Sequence, residues 1–263
     1  MNLLLKDKVV LITASSKGIG KATAELFLKE GSKVVICSSN STNLKIAADE
    51  LKTSTGNQPL TGVCDLNSTD DLINIVQLAK KEYGEIDILV NNCGGPVPGM
   101  FDDLNDLNWQ NAVDQVLMSV VRLTREVLPD MKKKNWGRII NITSLTVKQP
   151  VDNLMLSNSM RSAVTAFSKS LSNEVGKYNI TINNVAPGYT LTSRLYELAE
   201  IRSKERGITR EEMLAEMASV VPMKRLADPH EIASMIVYLT SEQAGYITGQ
   251  TIAVDGGVIK STY

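Results

Sequence analysis

The chain has 263 residues, with 28 lysines and arginines against 29 acids, a net charge of -1 and a pI near 6.0. That balance excludes the basic field of a nucleic-acid binder and the polybasic cluster of a lipid-surface protein, leaving a small molecule as the expected partner. The length suits one α/β domain over 1–263 with a single large core.

The opening MNLLLKDKVV has a three-leucine run before Lys6, too short for a secretory apolar region, and no stretch approaches the ~18 apolar residues of a membrane span. A strand is expected at VVLIT (9–13), a helix over 18–30, a strand at KVVIC (33–37), a helix over 42–54 and a strand at LTGVC (60–64). A helix over 68–82, the strand IDILVNN (86–92), a long helix over 106–132 and the strand GRIINIT (137–143) follow. The second half adds a helix over 154–176, the strand ITINNVA (180–186), a charged helical stretch over 193–219, a helix over 229–240 and TIAVDGG (251–257). Strands without polar alternation are buried on both faces, so this order predicts a doubly wound parallel sheet of about seven strands with helices on both faces. The charged segment 192–222 reads as a small helical lid over the carboxyl edge of the sheet, where ligands bind in such folds. Cys37, Cys64 and Cys93 are scattered through strands without CxxC spacing, as buried thiols of a reducing cytoplasmic compartment would be.

Between the first strand and first helix stand Thr13, Ala14, Ser15, Ser16, Lys17, Gly18, Ile19 and Gly20, a glycine-bearing turn whose backbone N–H groups suit a pyrophosphate. Asn91, Asn92, Cys93 and Gly94 end the fourth strand, Asp65 and Leu66 follow the third, and Pro187 and Gly188 follow the sixth, with Thr190 and Thr192 beyond. Together these motifs resemble the TGxxxGIG and NNAG signatures of the short-chain dehydrogenase/reductase family, over residues 6–257. The resemblance implies a Rossmann-type fold, a nicotinamide dinucleotide held by these residues, and common assembly as homotetramers through the long helix and the next one. Val113, Leu117, Val164 and Phe167 would suit that contact or plain burial. Ala14 stands where the family has its first glycine, a substitution that costs conformational freedom if the position needs positive φ. After the second strand come Cys37, Ser38, Ser39 and Asn40 with no acid to bind a ribose 2'-hydroxyl, while Lys17 offers a cation, so NADP is favoured and NAD is the alternative.

The catalytic constellation departs from the family. Ser144 falls where the resemblance implies the carbonyl-orienting serine. The usual tyrosine falls on Ser157, the usual lysine on Arg161, and the relay asparagine on Val116. A serine hydroxyl is a far weaker acid than a phenol of pKa ~10 and reaches less far. An arginine keeps the positive charge as a fixed fork. Candidate proton donors nearby are Lys148, Tyr189, Asp152 and Asn153, the last two also read as caps of the helix bearing Ser157. His230 begins the penultimate helix and reads as a surface residue. Two functions follow: an NADP-dependent reductase or dehydrogenase of 3-oxoacyl thioesters, sugars or alcohols with a non-standard proton donor, or a dinucleotide-binding sensor or partner subunit without redox chemistry. Neither a metal nor a nucleic acid is expected.

Overall fold

The structure, a computed structural model, describes residues 2–262. Seven parallel strands, β1 (Val9–Ile12), β2 (Lys33–Ser38), β3 (Leu60–Val63), β4 (Ile88–Asn91), β5 (Gly137–Ile142), β6 (Ile180–Pro187) and β7 (Thr251–Val254), form one sheet in the order β3-β2-β1-β4-β5-β6-β7. The helices are α1 (Gly18–Lys29), α2 (Ser41–Thr55), α3 (Thr69–Tyr83), α4 (Asp106–Ala112), α5 (Ser119–Lys134), α6 (Met155–Val175), α7 (Ser193–Arg206), α8 (Arg210–Ser219) and α9 (Pro229–Leu239).

Successive strand residues point to opposite faces, and both faces are covered. Val10, Ile12, Val34, Ile36 and Val90 pack with Phe27 and Leu28 of α1, Leu44 and Leu51 of α2, and Ile232 and Ile236 of α9. Val9, Leu11, Val35, Leu89 and Ile139 pack with Leu72 and Val76 of α3 and Leu123 and Val127 of α5. The expectation of doubly buried strands therefore holds for β1, β4, β5 and β6. It does not hold at the edges, because β3 and β7 have one neighbour each and keep partly exposed residues. Chain order reverses direction between β1 and β4, which opens a crevice at the carboxyl ends of these strands.

One helical expectation needs correcting and another gains detail. The long helix is not uniform: a wide-turned π segment, Val113–Met118, joins α4 to α5. Buried positions recur every fourth residue at Ala112, Val116, Val120 and Thr124. A helix of 3.6 residues per turn rotates such a series off its face, and a wider turn restores it. Val116 consequently packs with Val120 of α5 and Val164 of α6. The charged helical stretch resolves into two helices. Gly207 ends α7 at φ +66°, and Thr209 starts α8 by accepting from Glu212 N while the Glu212 carboxylate accepts from Thr209 N.

A row of amides crosses the sheet just below that crevice. Asn91, Asn141, Asn184 and Thr251 are in register on β4 to β7. Asn91 Nδ2 donates to Asn141 Oδ1 (2.8 Å), Asn141 Nδ2 to Asn184 Oδ1 (3.2 Å), and Asn184 Nδ2 to Thr251 Oγ1 (3.1 Å). Asn141 Nδ2 also donates to Ser168 Oγ on α6 at 2.9 Å, tying the ladder to the helix that bears Ser157 and Arg161.

Candidate active site

At the carboxyl ends of β1, β4, β5 and β6 lies a cavity of about 370 Å³. One wall is the turn into α1. Lys17, its N-cap residue, makes no side-chain capping bond, so the first-turn N–H groups have no side-chain acceptor. Ala14 takes φ +44°, the left-handed region, at a cost of roughly 1–2 kcal/mol for a residue with a Cβ. The turn is braced from β4. Thr13 Oγ1 donates to Asn92 O (2.6 Å) and accepts from Asn92 N (2.8 Å), and Asn92 Nδ2 donates to Ala14 O at 2.9 Å. Gly20 sits against this brace, and a Cβ there would stand 2.9 Å from Ala14 O and 2.7 Å from Asn92 Nδ2.

The residues expected around a dinucleotide divide into two groups. Ser16, Lys17, Gly18, Ile19, Ser38, Asn92, Gly94, Pro187, Gly188, Thr190, Thr192 and Arg161 all line the cavity. Thr13, Ser15, Gly20, Ser39, Asp65 and Leu66 do not. Ser15 is fully buried, its hydroxyl donating to Ile12 O and accepting from Cys37 N, so it ties β1 to β2. Asp65 folds onto its own turn by accepting from Asn67 N, and Leu66 is buried with the α3 face of the core. At the end of β2, Ser16 Oγ donates to Ser38 Oγ at 3.1 Å, while Asn40, two residues on, caps α2.

The opposite wall carries the altered constellation. Ser144 starts the short turn after β5 by accepting from Thr146 N, and it borders the cavity. Ser157 and Arg161, one turn apart on α6, are 9% and 8% exposed. Arg161 Nη1 donates to Ile142 O (2.9 Å) and Thr143 O (3.1 Å), and its Nε donates to Ser157 Oγ (3.2 Å). Ser157 thereby accepts from a cation and keeps its own proton free, which polarises its O–H toward donation. Of the four proton-donor candidates, Tyr189 alone lines the cavity. Asp152 and Asn153 are not helix caps: Leu154 occupies the N-cap position without a side-chain bond, and Asn153 instead takes a left-handed turn at φ +62° that asparagine tolerates.

Comparison with known proteins decides the lineage. The family model described as enoyl-(acyl carrier protein) reductase matches residues 13–259. The chain belongs to the short-chain dehydrogenase/reductase family. It is 33% identical over 258 residues to the 3-oxoacyl-(acyl-carrier-protein) reductase FabG of Chlamydia muridarum, covering 98% of this chain and 100% of that protein. The NADPH-dependent reductase BacG of Bacillus subtilis is 30% identical, over 98% of this chain and 100% of that one. Among solved structures, L-sorbose reductase from Gluconobacter frateurii, complexed with NADPH and L-sorbose, superposes with a TM-score of 0.94 at 35% identity over 99% of this chain and 100% of that one.

For a short-chain dehydrogenase/reductase, the site fits a nicotinamide dinucleotide in its own geometry. The uncapped α1 terminus provides N–H groups for a pyrophosphate, and no acid stands at the end of β2 to repel a 2'-phosphate beside Lys17, Ser16 and Ser38. Val116 is buried among apolar side chains, so the position of the family's relay asparagine carries no polar group. Two charged cavity residues escaped the sequence reading altogether. Arg194 and Arg202 of α7 line the cavity with Leu198 midway between them, and the four-residue spacing of 194, 198 and 202 was the signal available in the charged stretch.

Proposed function

We propose that the protein is an NADPH-dependent carbonyl reductase of the short-chain type, in which a serine held by an arginine replaces the family's tyrosine. The observation that carries this reading is that the phosphate-suited turn and the Ser144, Ser157 and Arg161 group border one cavity. Bound NADPH supplies the hydride. Backbone N–H groups at the start of α1 hold its pyrophosphate, and Lys17 with Ser38 selects the 2'-phosphate. Ser144 and Ser157 donate hydrogen bonds to the substrate carbonyl oxygen, where negative charge develops. The fixed charge of Arg161, acting through Ser157, stabilises that charge. The final proton reaches the oxygen from water entering the cavity, because a serine hydroxyl is too weak an acid to give its proton up outright. Turnover is therefore slower than in relatives with a phenol.

NADPH-dependent reductases among the relatives support the cofactor choice, and none of the named relatives supports a sensor without redox chemistry. The test is NADPH and NADH oxidation against 3-oxoacyl thioesters, ketoses and diketones. Ser157→Ala is expected to cut kcat by about 10²-fold with NADPH affinity retained, the cost of one oxyanion donor. Tight NADPH binding with no turnover of any carbonyl would sink the reading. A small-molecule partner and a cytoplasmic setting belong to the same proposal; no helix among the described residues is long and apolar enough to cross a membrane. Self-association through the long helix, from α4 to α5, and α6 is also proposed, with Leu117 and Phe167 as contacts. Val164 is 2% exposed and is used within the chain. Sedimentation measures the assembly.

A further inference from the structure

The cavity lining includes Lys17, Arg161, Arg194 and Arg202 and contains no aspartate or glutamate. NADPH accounts for Lys17, and the backbone of the α1 turn accounts for the pyrophosphate. Two arginines are left over. Arg194, Leu198 and Arg202 stand four apart on α7, so one stripe of that helix faces the cavity, with the arginines ~12 Å apart along its axis.

Arg194 is placed, not loose. Its Nη2 donates to Pro96 O at 2.8 Å, and its guanidinium lies so close to Gly95 that a Cβ there would be 2.7 Å from Nε. Its acidic neighbour Glu197 is 3.7 Å away and 62% exposed, a weak counter-charge. Arg202 has neither a hydrogen bond nor an ion pair among the described residues. Across the cavity, Arg161 uses Nε and Nη1 on protein partners, and Nη2 has none among the described residues. Burial lowers the pKa of Arg194, Glu197 raises it, and the positive charge of Arg161 lowers it further, so the two guanidiniums repel each other through the cavity. Like charges facing one partly buried space without an acid are relieved by a ligand anion.

We propose that the substrate is a carbonyl compound bearing a carboxylate, and that Arg194 receives the carboxylate while Ser144 and Ser157 hold the carbonyl oxygen. The inference rests on the reductase reading and adds the substrate class. Arg202, further along the stripe, extends the attractive potential toward the cavity mouth.

The experiment compares oxo acids with their methyl esters, matched in carbon skeleton, using the full chain and NADPH. Expected is a preference of about tenfold or more in kcat/KM for the acid, the worth of one charge-assisted contact. In Arg194→Gln the acid-to-ester ratio falls to about one through KM, with the NADPH Kd unmoved, while Arg194→Lys keeps part of the preference because it keeps the charge. Equal kcat/KM for acid and ester in the unmodified chain overturns the proposal. So does an Arg194→Gln variant whose loss appears in the NADPH Kd, since Arg194 would then serve the cofactor's phosphates. If no carbonyl turns over, the reductase reading fails by itself, and the substrate class is read from binding. Quenching of bound NADPH fluorescence by a hydroxy acid but not by its amide, lost in Arg194→Gln, keeps the proposal, and quenching by neither overturns it.

Discussion

Replacing Arg161 by methionine keeps the apolar stem and deletes the guanidinium, and it separates two roles that one residue combines. The guanidinium holds the end of β5 through Ile142 O and Thr143 O and steadies Ser157. Hydrogen bonds to charged groups contribute about 1.5–3 kcal/mol each, so the two backbone contacts amount to roughly 3–6 kcal/mol. Removing a cation that is 8% exposed returns part of this, since its desolvation is relieved. A net loss of about 2–4 kcal/mol is expected, which for a chain of this size lowers Tm by roughly 4–12 °C. Thermal and urea unfolding without NADPH is the assay. Adding NADPH then raises Tm in both proteins by an amount set by each Kd. If Arg161→Met unfolds at the same temperature and urea midpoint as the unmodified chain, and only NADPH binding is weakened, the brace is not real and Arg161 is solely a cofactor ligand.

Gly20→Ala places a Cβ 2.9 Å from Ala14 O and Ser15 Cα, backbone atoms that cannot yield, so NADPH binding should weaken by tenfold or more as the turn opens, as read by fluorescence titration. Asn141→Ala strands Asn91 Nδ2 and loosens Asn184 and Ser168; with unsatisfied buried groups costing ~1–3 kcal/mol each, a loss of about 2–4 kcal/mol in urea unfolding is expected. His230 is pulled down by burial but raised on balance by Glu25 and Asp228, so its charged form is favoured on folding. The stability it adds is full below its unfolded pKa of ~6.5 and is lost as pH rises through the higher folded value. His230→Gln should accordingly lower Tm by about 1–3 °C at pH 5.5 and hardly at all at pH 8.5, the small size reflecting a half-exposed pair. An equal change at both pH values would refute the assignment.

The parallel sheet and its two covered faces were legible because apolar runs such as VVLI and ILVN have no polar alternation. The altered constellation was legible too, since counting from Ser144 needs no structure. What escaped had weaker or nonlocal signals. The break at Gly207 carried a readable helix start in Thr209 and Glu212, but charge on every face hid it. The inward turn of Ser15 and the self-folded Asp65 depend on which of several acceptors lies nearest, a matter of tertiary distance. That Asn153 is a turn residue, and Leu154 the uncapped helix start, depends on a backbone contact in which Gly99 N donates to Asn153 O.

The amide ladder has a consequence for how the sheet finds its alignment. Parallel strands made of Val, Ile and Leu tolerate a shift of two residues with little loss, because the same faces stay apolar. Such a shift at β5 would move Asn141 out of line with Asn91 and Asn184 and leave several amide groups in hydrocarbon. The ladder works as a vernier: it admits a single setting of β4 to β7, and that setting brings Asn92, Ser144 and Gly188, which follow the row by one, three and four residues, to the border of one cavity. Specificity of pairing and alignment of the reacting groups are thus one property of the same row of side chains.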